Sequence, residues 1–224
     1  MSSYLWLNIL VIIIPFLGSF EKRVRYHQKW QHVFKAIFLT LIPFIIWDSL
    51  FAHFGIWHFN PNYVSSFSVF GLPIDEWLFF ITVPYSCLYI YEWVKYFRRG
   101  RAQIYGVADR FLLIILCGAT LLTAFFFYSK SYTLVVFGSV AYFLIFVIAN
   151  KPVFIRNFWI AFIISMVPFL IVNGYLTAKP VVMYNSHEFI GLRLFTIPLE
   201  DVFYSFLLLL MNTFFYEQSL SREL

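Results

Sequence analysis

The chain of 224 residues alternates long apolar runs with short polar loops. Seven of these runs reach or approach the roughly 17–25 residues that a tilted helix needs to cross a bilayer. The runs are continuous, whereas the strands of a membrane barrel alternate apolar and polar residues over about ten positions. We therefore predict an all-α integral membrane protein with seven transmembrane helices, at Tyr4–Phe20, Phe34–Phe54, Pro73–Phe97, Phe111–Tyr128, Tyr132–Ala149, Asn157–Thr177 and Phe195–Tyr216.

The composition supports a membrane location and excludes an ordinary water-soluble protein. Hydrophobic residues make up 62% of the chain and charged residues 12%, whereas about a quarter of the residues in a soluble domain are charged. We expect one membrane domain over residues 1–224, multi-pass in the cell membrane. The chain has no glycine-rich phosphate loop and no His/Cys cluster with zinc spacing, and we expect Cys87 and Cys117 to be inert packing residues.

The distribution of basic residues predicts the orientation. With the exception of Lys130, Lys179 and Arg193, the Lys and Arg residues lie in or beside the loops after the first, third and fifth runs, or in the C-terminal tail. Basic residues accumulate on the cytoplasmic side of membrane proteins. We therefore predict an N-terminus outside and a cytoplasmic C-terminus. The net charge of +5 follows this orientation and does not indicate a nucleic-acid partner.

Polar and helix-breaking residues recur in register 125 positions apart, which indicates an internal repeat. The matched pairs are Pro43 and Pro168, Asp48 and Asn173, Asn60 and Asn185, Phe70 and Phe195, and Glu92 and Glu217. We predict two repeats of three helices, at residues 4–97 and 132–217, and a connector at 98–131 that contains helix four. Equivalent helices are four apart, so this 3+1+3 arrangement is a parallel repeat about an axis along the membrane normal.

Each repeat carries two adjacent acids after a proline, at Pro73–Glu76 and Pro198–Asp201. Proline opens a helix well, and acids in the first turn suit the helix dipole. These acids could therefore be simple capping residues, but a cap needs only one of them. Adjacent helical residues point about 100° apart, so each motif directs one carboxyl group to the axis. Two close carboxyl groups in a dry site cannot both ionise, and the pair could form a general acid beside a general base.

Other polar and aromatic residues are expected near these motifs. Asp48 and Asn173 end the second and sixth helices on the same side, and their difference indicates that the halves have diverged. For Asn60 and Asn185 a role in turns is favoured. Aromatic residues within one turn of the acids could either line a site or face lipid: Trp77, Phe79, Phe80, Phe203 and Tyr204. Glu92 and Glu217 lie about 24 Å along their helices from the acids, where they are expected to pair with basic residues.

At these motifs the chain resembles the membrane lycopene cyclase family, which occurs as paired small subunits in some bacteria and as fused repeats in archaea and fungi. The hallmark of that family is Pro-x-Glu-(Glu/Asp) near the start of a membrane helix, once per repeat. The motif at Pro198–Asp201 matches it fully, whereas Pro73–Glu76 has Asp75 in place of the first Glu. The resemblance spans roughly residues 4–217.

The resemblance implies a lycopene β-cyclase that needs no cofactor and no metal. An acid protonates a terminal double bond of lycopene, the cation closes a six-membered ring, and a base removes a proton, giving γ-carotene or β-carotene. We expect Glu76 and Glu200 to be the first catalytic candidates, followed by Asp75 and Asp201. Asp48, Asn173 and the five aromatic residues named above would bind substrate and stabilise the cation.

The implied partners are the lipid-soluble substrate lycopene and membrane lipid, with homo-oligomerisation or association with other carotenoid enzymes left open. Two other functions also stay open: a small-solute carrier with parallel three-helix repeats, in which Asn173 or Asn212 binds solute, and a non-catalytic carotenoid-binding subunit. A retinal-binding receptor is excluded, because its last helix needs a lysine and residues 195–216 contain none.

Overall fold

The computed structural model describes residues 2–101 and 105–222. Within them the chain forms seven α-helices, which confirms the all-α prediction, and a short 3-10 turn at Tyr26–Lys29 leads into the second helix. The helices are α1 Ser3–Gly18, α2 Trp30–His53, α3 Ile74–Phe97, α4 Val107–Phe126, α5 Ser131–Asn150, α6 Ile155–Ala178 and α7 Leu199–Ser221. Most predicted ends are met within a few residues.

The start of the last helix differs from the prediction. Helix α7 begins at Leu199 rather than at Phe195, because residues 193–198 form a β-hairpin instead of a first helical turn. Helix α2 begins at Trp30, four residues before the predicted Phe34. Both differences lie in polar or turn-forming segments, where hydropathy alone does not predict the backbone conformation.

Five helices are long and apolar enough to cross a membrane: α2 with its preceding turn, α4, α5, α6 and α7. Helix α1 is apolar but has 16 residues, and α3 includes Asp75, Glu76, Glu92 and Lys95. For these two helices, spanning stays a prediction. Large apolar side chains project from the bundle, for example Ile14, Ile163 and Phe125, which are 74%, 67% and 73% exposed. A surface of this kind suits lipid and not water.

The helices interlock across the two halves of the chain. Helix α1 packs on α3 and α5 packs on α7, so the first and third helices of each half are neighbours. Helix α2 packs on α7 and α6 packs on α3, so each second helix is placed against the third helix of the other half. Helix α4 packs on α5. The centre of the bundle is therefore built from both halves.

Short strands join the halves at the end of the bundle that carries the acids. Strand β1 (Trp57–Phe59) pairs antiparallel with β4 (Val182–Tyr184). The flanking hydrogen bonds are reciprocal, since the Asn60 amide donates to the Val181 carbonyl and the Asn185 amide donates to the Ile56 carbonyl, each at 2.9 Å. Each asparagine side chain accepts the amide two residues on, at 3.1 Å. The interpretation of Asn60 and Asn185 as turn residues is confirmed.

Two equivalent hairpins lead into the acidic helices. They pair β2 (Ser68–Val69) with β3 (Leu72–Pro73), and β5 (Arg193–Leu194) with β6 (Ile197–Pro198). Phe70 and Phe195 occupy their turns with φ of 52° and 57°, the left-handed conformation that tight hairpins require. The hairpins hold the prolines of both motifs in extended backbone just before the helices begin.

At the opposite end of the bundle, charged side chains form a compact network. Glu92 is 2% exposed and binds Lys29, Lys95 at 3.2 Å and the Tyr216 hydroxyl at 2.8 Å. Glu217 accepts from Lys95 at 2.7 Å and from the Tyr91 hydroxyl at 2.9 Å. The expected pairing of Glu92 and Glu217 with basic residues is confirmed. The network links the C-terminal ends of α3 and α7.

The variant Glu92→Leu should destabilise the protein by about 3 kcal/mol, because it leaves two largely buried lysines without their shared carboxylate. Thermal unfolding in detergent measures the effect. Arg23→Met is the control, since Arg23 and Glu21 form an exposed pair at 3.8 Å that should contribute little. Equal melting temperatures for the two variants would contradict a structural role of the network.

Candidate functional site

The acids of both motifs begin their helices in the same way. Pro73 and Pro198 are the N-cap residues, with φ of −61° and −54° and extended ψ. Proline prefers the first residue of a helix, whereas these two prolines lie one position before it. The two acids of each motif are thus the second and third residues of α3 and α7. Their side chains leave the helix at different angles, as predicted.

The first acid of each motif anchors the loop that precedes it. Asp75 is fully buried and accepts hydrogen bonds from the Ser2 hydroxyl at 2.6 Å and from the Ser65 amide at 2.7 Å. Glu200, also fully buried, accepts from the Thr133 hydroxyl at 2.7 Å and the Ile190 amide at 2.9 Å. These donors belong to other segments of the chain, so the first acids tie down loops and neighbouring helices. A catalytic role for Asp75 and Glu200 stays a prediction.

The second acid of each motif faces the interior and receives a tyrosine hydroxyl. The Tyr4 hydroxyl donates to Glu76 Oε2 at 2.7 Å, and the Tyr132 hydroxyl donates to Asp201 Oδ1 at 2.5 Å. Glu76 is 7% exposed and Asp201 is 5% exposed. Each tyrosine comes from the first helix of the same half, so the two arrangements correspond.

The second helix of each half adds a further polar side chain, and here the halves differ. The Asp48 and Glu76 carboxyl groups lie within hydrogen-bonding reach of each other, and such a bond requires a proton on one of them. In the other half, Asn173 Nδ2 donates to Asp201 Oδ2 at 3.0 Å. The predicted neighbourhood of Asp48 and Asn173 is therefore observed, with an acid pair on one side and an acid–amide pair on the other.

Two more tyrosines complete the polar cluster. The Tyr184 hydroxyl donates to Asp201 Oδ2 at 2.7 Å, and the Tyr204 hydroxyl donates to Asp48 Oδ1 at 2.8 Å. The second bond connects α7 to α2, and so connects the halves. Burial and the Asp201 carboxyl raise the pKa of the Tyr184 phenol well above its usual range, so this residue stays a donor at neutral pH.

This polar cluster lies at one end of a cavity of about 480 Å³. The polar end contains Asp48, Glu76 and Asp201 with their four tyrosines, and the cavity continues past apolar residues of α1, α3, α6 and α7. It reaches Cys87 and Ile90 on α3, about 21 Å along that helix from Glu76 at 1.5 Å per residue. The arrangement is a long apolar slot with carboxyl groups at its head.

The predicted aromatic residues divide into two groups. Phe79 and Tyr204 line the cavity, and Phe80 lies behind it, 5.9 Å from the Phe44 ring. Phe203 packs against Phe137 at 4.5 Å, and the Trp77 indole donates to the Val69 carbonyl of a hairpin at 3.3 Å. These last two residues are not among those that line the cavity, because their helical positions turn them to other neighbours.

Several aromatic residues that line the cavity do not follow from the motifs, among them Tyr4, Trp57, Tyr132 and Tyr184. Tyr4 and Tyr132 are equivalent by their bonds, but they lie 128 residues apart in the chain. A comparison of the halves at a fixed offset of 125 therefore misses them. Trp57 packs edge-on against both Tyr132 and Tyr184, with ring centroids 5.1 and 6.2 Å away, and the pairing of β1 with β4 brings it there.

Within residues 2–101 and 105–222, no three His, Cys, Asp or Glu side chains are grouped so that they could hold a metal ion. Cys87 and Cys117 are both free thiols. Cys117 is buried, and Cys87 forms part of the far end of the cavity.

Comparison with known proteins identifies one family. The model of a family described as lycopene cyclase matches residues 1–94 and 129–218. The two matched segments include all four acids of the motifs, and residues 95–128, which contain the whole of α4, lie outside them.

A second comparison finds a curated relative that is similar to part of the chain. The chain is 31% identical over 62 residues to the bifunctional lycopene cyclase/phytoene synthase of Aspergillus oryzae (strain ATCC 42149 / RIB 40). The match covers 28% of this chain and 11% of the relative, so it concerns a small part of that longer protein. No solved structure matches the chain.

The loop-anchoring role of the first acids is testable by stability. Asp75→Ala should lower the free energy of unfolding by about 2 kcal/mol, because the partly buried donors of Ser2 and Ser65 lose their acceptor. Glu21→Ala is the control, since that side chain is 45% exposed and such changes are usually within about 0.5 kcal/mol. Unfolding in detergent is the measurement, and an unchanged Asp75→Ala protein would contradict the assignment.

Proposed function

Because the chain belongs to the lycopene cyclase family, we propose that it cyclises the linear ends of lycopene to β-ionone rings. The reaction is an isomerisation without net oxidation, and its products would be γ-carotene and β-carotene. The proposal makes the protein an enzyme of carotenoid biosynthesis that needs only its own side chains and the lipid-soluble substrate.

The observation that carries this proposal is the composition of the cavity. The carboxyl groups are confined to its head, and the remainder is lined mostly by apolar side chains such as Leu7, Val83 and Leu208, with a few hydroxyl groups such as those of Ser86 and Tyr89. A linear hydrocarbon fits such a slot, with its end group against the acids. A polar solute would need hydrogen-bonding groups along its path, and this favours the cyclase over the carrier.

We assign the acid to the Glu76–Asp48 pair. Protonation of an alkene needs an undissociated carboxyl group in a place from which water is excluded. Glu76 meets this need, since it is buried and lies within hydrogen-bonding reach of the Asp48 carboxyl group, with which it can share a proton. The proton passes from the carboxyl group to the terminal double bond, and the neighbouring double bond attacks the cation to close the ring.

We assign the base to Asp201. Three neutral donors, from Tyr132, Tyr184 and Asn173, point at its carboxyl oxygens, as suits an ionised acceptor. It removes the ring proton, so that the reaction ends with no net gain or loss of protons. Between these steps the faces of Trp57 and Tyr204 would stabilise the cation, each by up to about 2 kcal/mol when desolvated.

The proposal includes the membrane arrangement. We infer that all seven helices cross the cell membrane as a 3+1+3 parallel repeat, with the N-terminus outside and the C-terminus cytoplasmic. The matching hydrogen bonds of the two halves support the repeat, and the exposed apolar belt supports embedding in lipid. The acids then lie toward the outer side, and the Glu92–Lys95–Glu217 network lies toward the cytoplasm.

Expression in a bacterium that accumulates lycopene tests the function. The unaltered chain should convert lycopene to monocyclic and bicyclic isomers of unchanged mass, separated by chromatography. Lycopene that persists beside verified membrane-inserted protein would contradict the cyclase and leave a non-catalytic carotenoid-binding subunit or a carrier.

The same assay tests the assigned residues. Glu76→Gln and Asp201→Asn should each lower the rate about 100-fold or more, because general acid–base groups commonly contribute that much. Glu21→Gln, an exposed acid far from the cavity, is the matched control and should keep the rate. Full activity of both site variants, with normal protein levels, would refute the assignment of acid and base.

A further inference from the structure

The cavity is asymmetric although the residues around it recur between the halves. Val172 and Leu176 of α6 line it, and the equivalent positions 125 residues earlier are Trp47 and Phe51 of α2. Trp47 and Phe51 are not among the residues that line this cavity. Their rings lie among those of their neighbours, with Trp47 5.2 Å from Tyr204 and Phe51 5.0 Å from Trp57.

Trp47 and Phe51 thus fill the place that corresponds to the cavity. Trp47 also stacks on Phe44 at 5.7 Å, and its Nε1 is buried without a hydrogen-bond partner in the described part of the chain. The indole therefore contributes bulk here and no polar contact within the described residues. The second acids of both halves, Glu76 and Asp201, line the same cavity. One reaction centre therefore uses the acids of both halves.

The open cavity reaches the lipid-facing surface between α1 and α6. Leu10, Ile14 and Ile171 line it, yet they are 61%, 74% and 69% exposed. A residue that both lines a cavity and faces outward marks its opening. Leu10 and Ile14 belong to α1 and Ile171 to α6, two helices that touch only slightly. The opening is thus a lateral seam between apolar side chains.

We propose that the chain has one reaction chamber, which takes one end of a linear carotenoid sideways from the bilayer through the α1–α6 seam, and that the two ends react in separate binding events. This inference rests on the proposed function. The half-reacted molecule must leave through the seam and enter again with its other end, because the acids that line the cavity, Asp48, Glu76 and Asp201, are all at its head. Trp47 and Phe51 are the residues that restrict the protein to one chamber.

A pulse–chase experiment tests the separate binding events. Protein in lipid vesicles receives isotopically labelled lycopene and, once monocyclic product appears, a large excess of unlabelled lycopene. Labelled monocyclic product should then persist, because the unlabelled molecules compete for the chamber. Labelled monocyclic product that continues to bicyclic product at an undiminished rate would overturn the inference. If the unchased reaction gives no cyclic product, the proposed function itself is overturned, and this inference with it.

A pair of variants on one helix tests the seam and the filled site. Val172→Trp copies the residue of the closed half into the open cavity, and it should lower the cyclisation rate about tenfold or more, as expected when a pocket loses the volume its substrate needs. Val167→Trp is the matched control, since Val167 is 63% exposed on the lipid-facing side of α6 and does not line the cavity. The control should cyclise at the unaltered rate.

Folding is controlled by the amount of membrane-inserted protein, its unfolding in detergent, and the graded series Val172→Ala, Val172→Leu and Val172→Phe. The rate should fall as the side chain at this position grows. Equal rates for Val172→Trp and Val167→Trp would refute the chamber, while a wild-type protein that still cyclises lycopene would leave the proposed function intact.

Discussion

The arrangement of this bundle depends on keeping carboxyl groups inside an apolar environment. Asp48, Asp75, Glu76, Glu200 and Asp201 are all nearly or fully buried, and an unpaired buried acid would be strongly destabilising. Each receives a donor or a carboxyl partner from a different segment of the chain. The strands, hairpins and tyrosines at this end of the bundle supply these partners. Hydrogen bonding therefore helps to determine the fold at this end of the bundle, together with the packing of aromatic rings.

The two acids of each motif serve different purposes because the helix separates their directions. The first acid accepts the amide of residue 65 or 190 and ties down the loop before its helix. The second accepts a tyrosine hydroxyl and faces the cavity. The same division is seen in both halves of the chain. Asp48 in one half and Asn173 in the other make the two halves chemically unequal.

Interlocking of the halves explains why a repeated chain forms one site. The second helix of each half packs on the third helix of the other, so Tyr204 of α7 binds Asp48 of α2. Neither half by itself contains all of the residues that bind the buried acids. Large aromatic side chains at Trp47 and Phe51 fill one of two corresponding places, and smaller residues at Val172 and Leu176 leave the other open to lipid.

The sequence by itself determined the all-α class, the approximate helices, the paired acids and their resemblance to a family, because hydropathy, helix period and short motifs are local properties. It also predicted that one acid per motif would face inward, from the 100° step between helical residues. Only the tertiary structure decided that these are Glu76 and Asp201, since helix rotation depends on packing. The tertiary structure also places Tyr4, Trp57, Tyr132 and Tyr184 in the lining of the cavity, whereas Trp77 and Phe203 are not part of that lining. Contacts between distant segments select these residues, and no local pattern in the chain encodes such contacts.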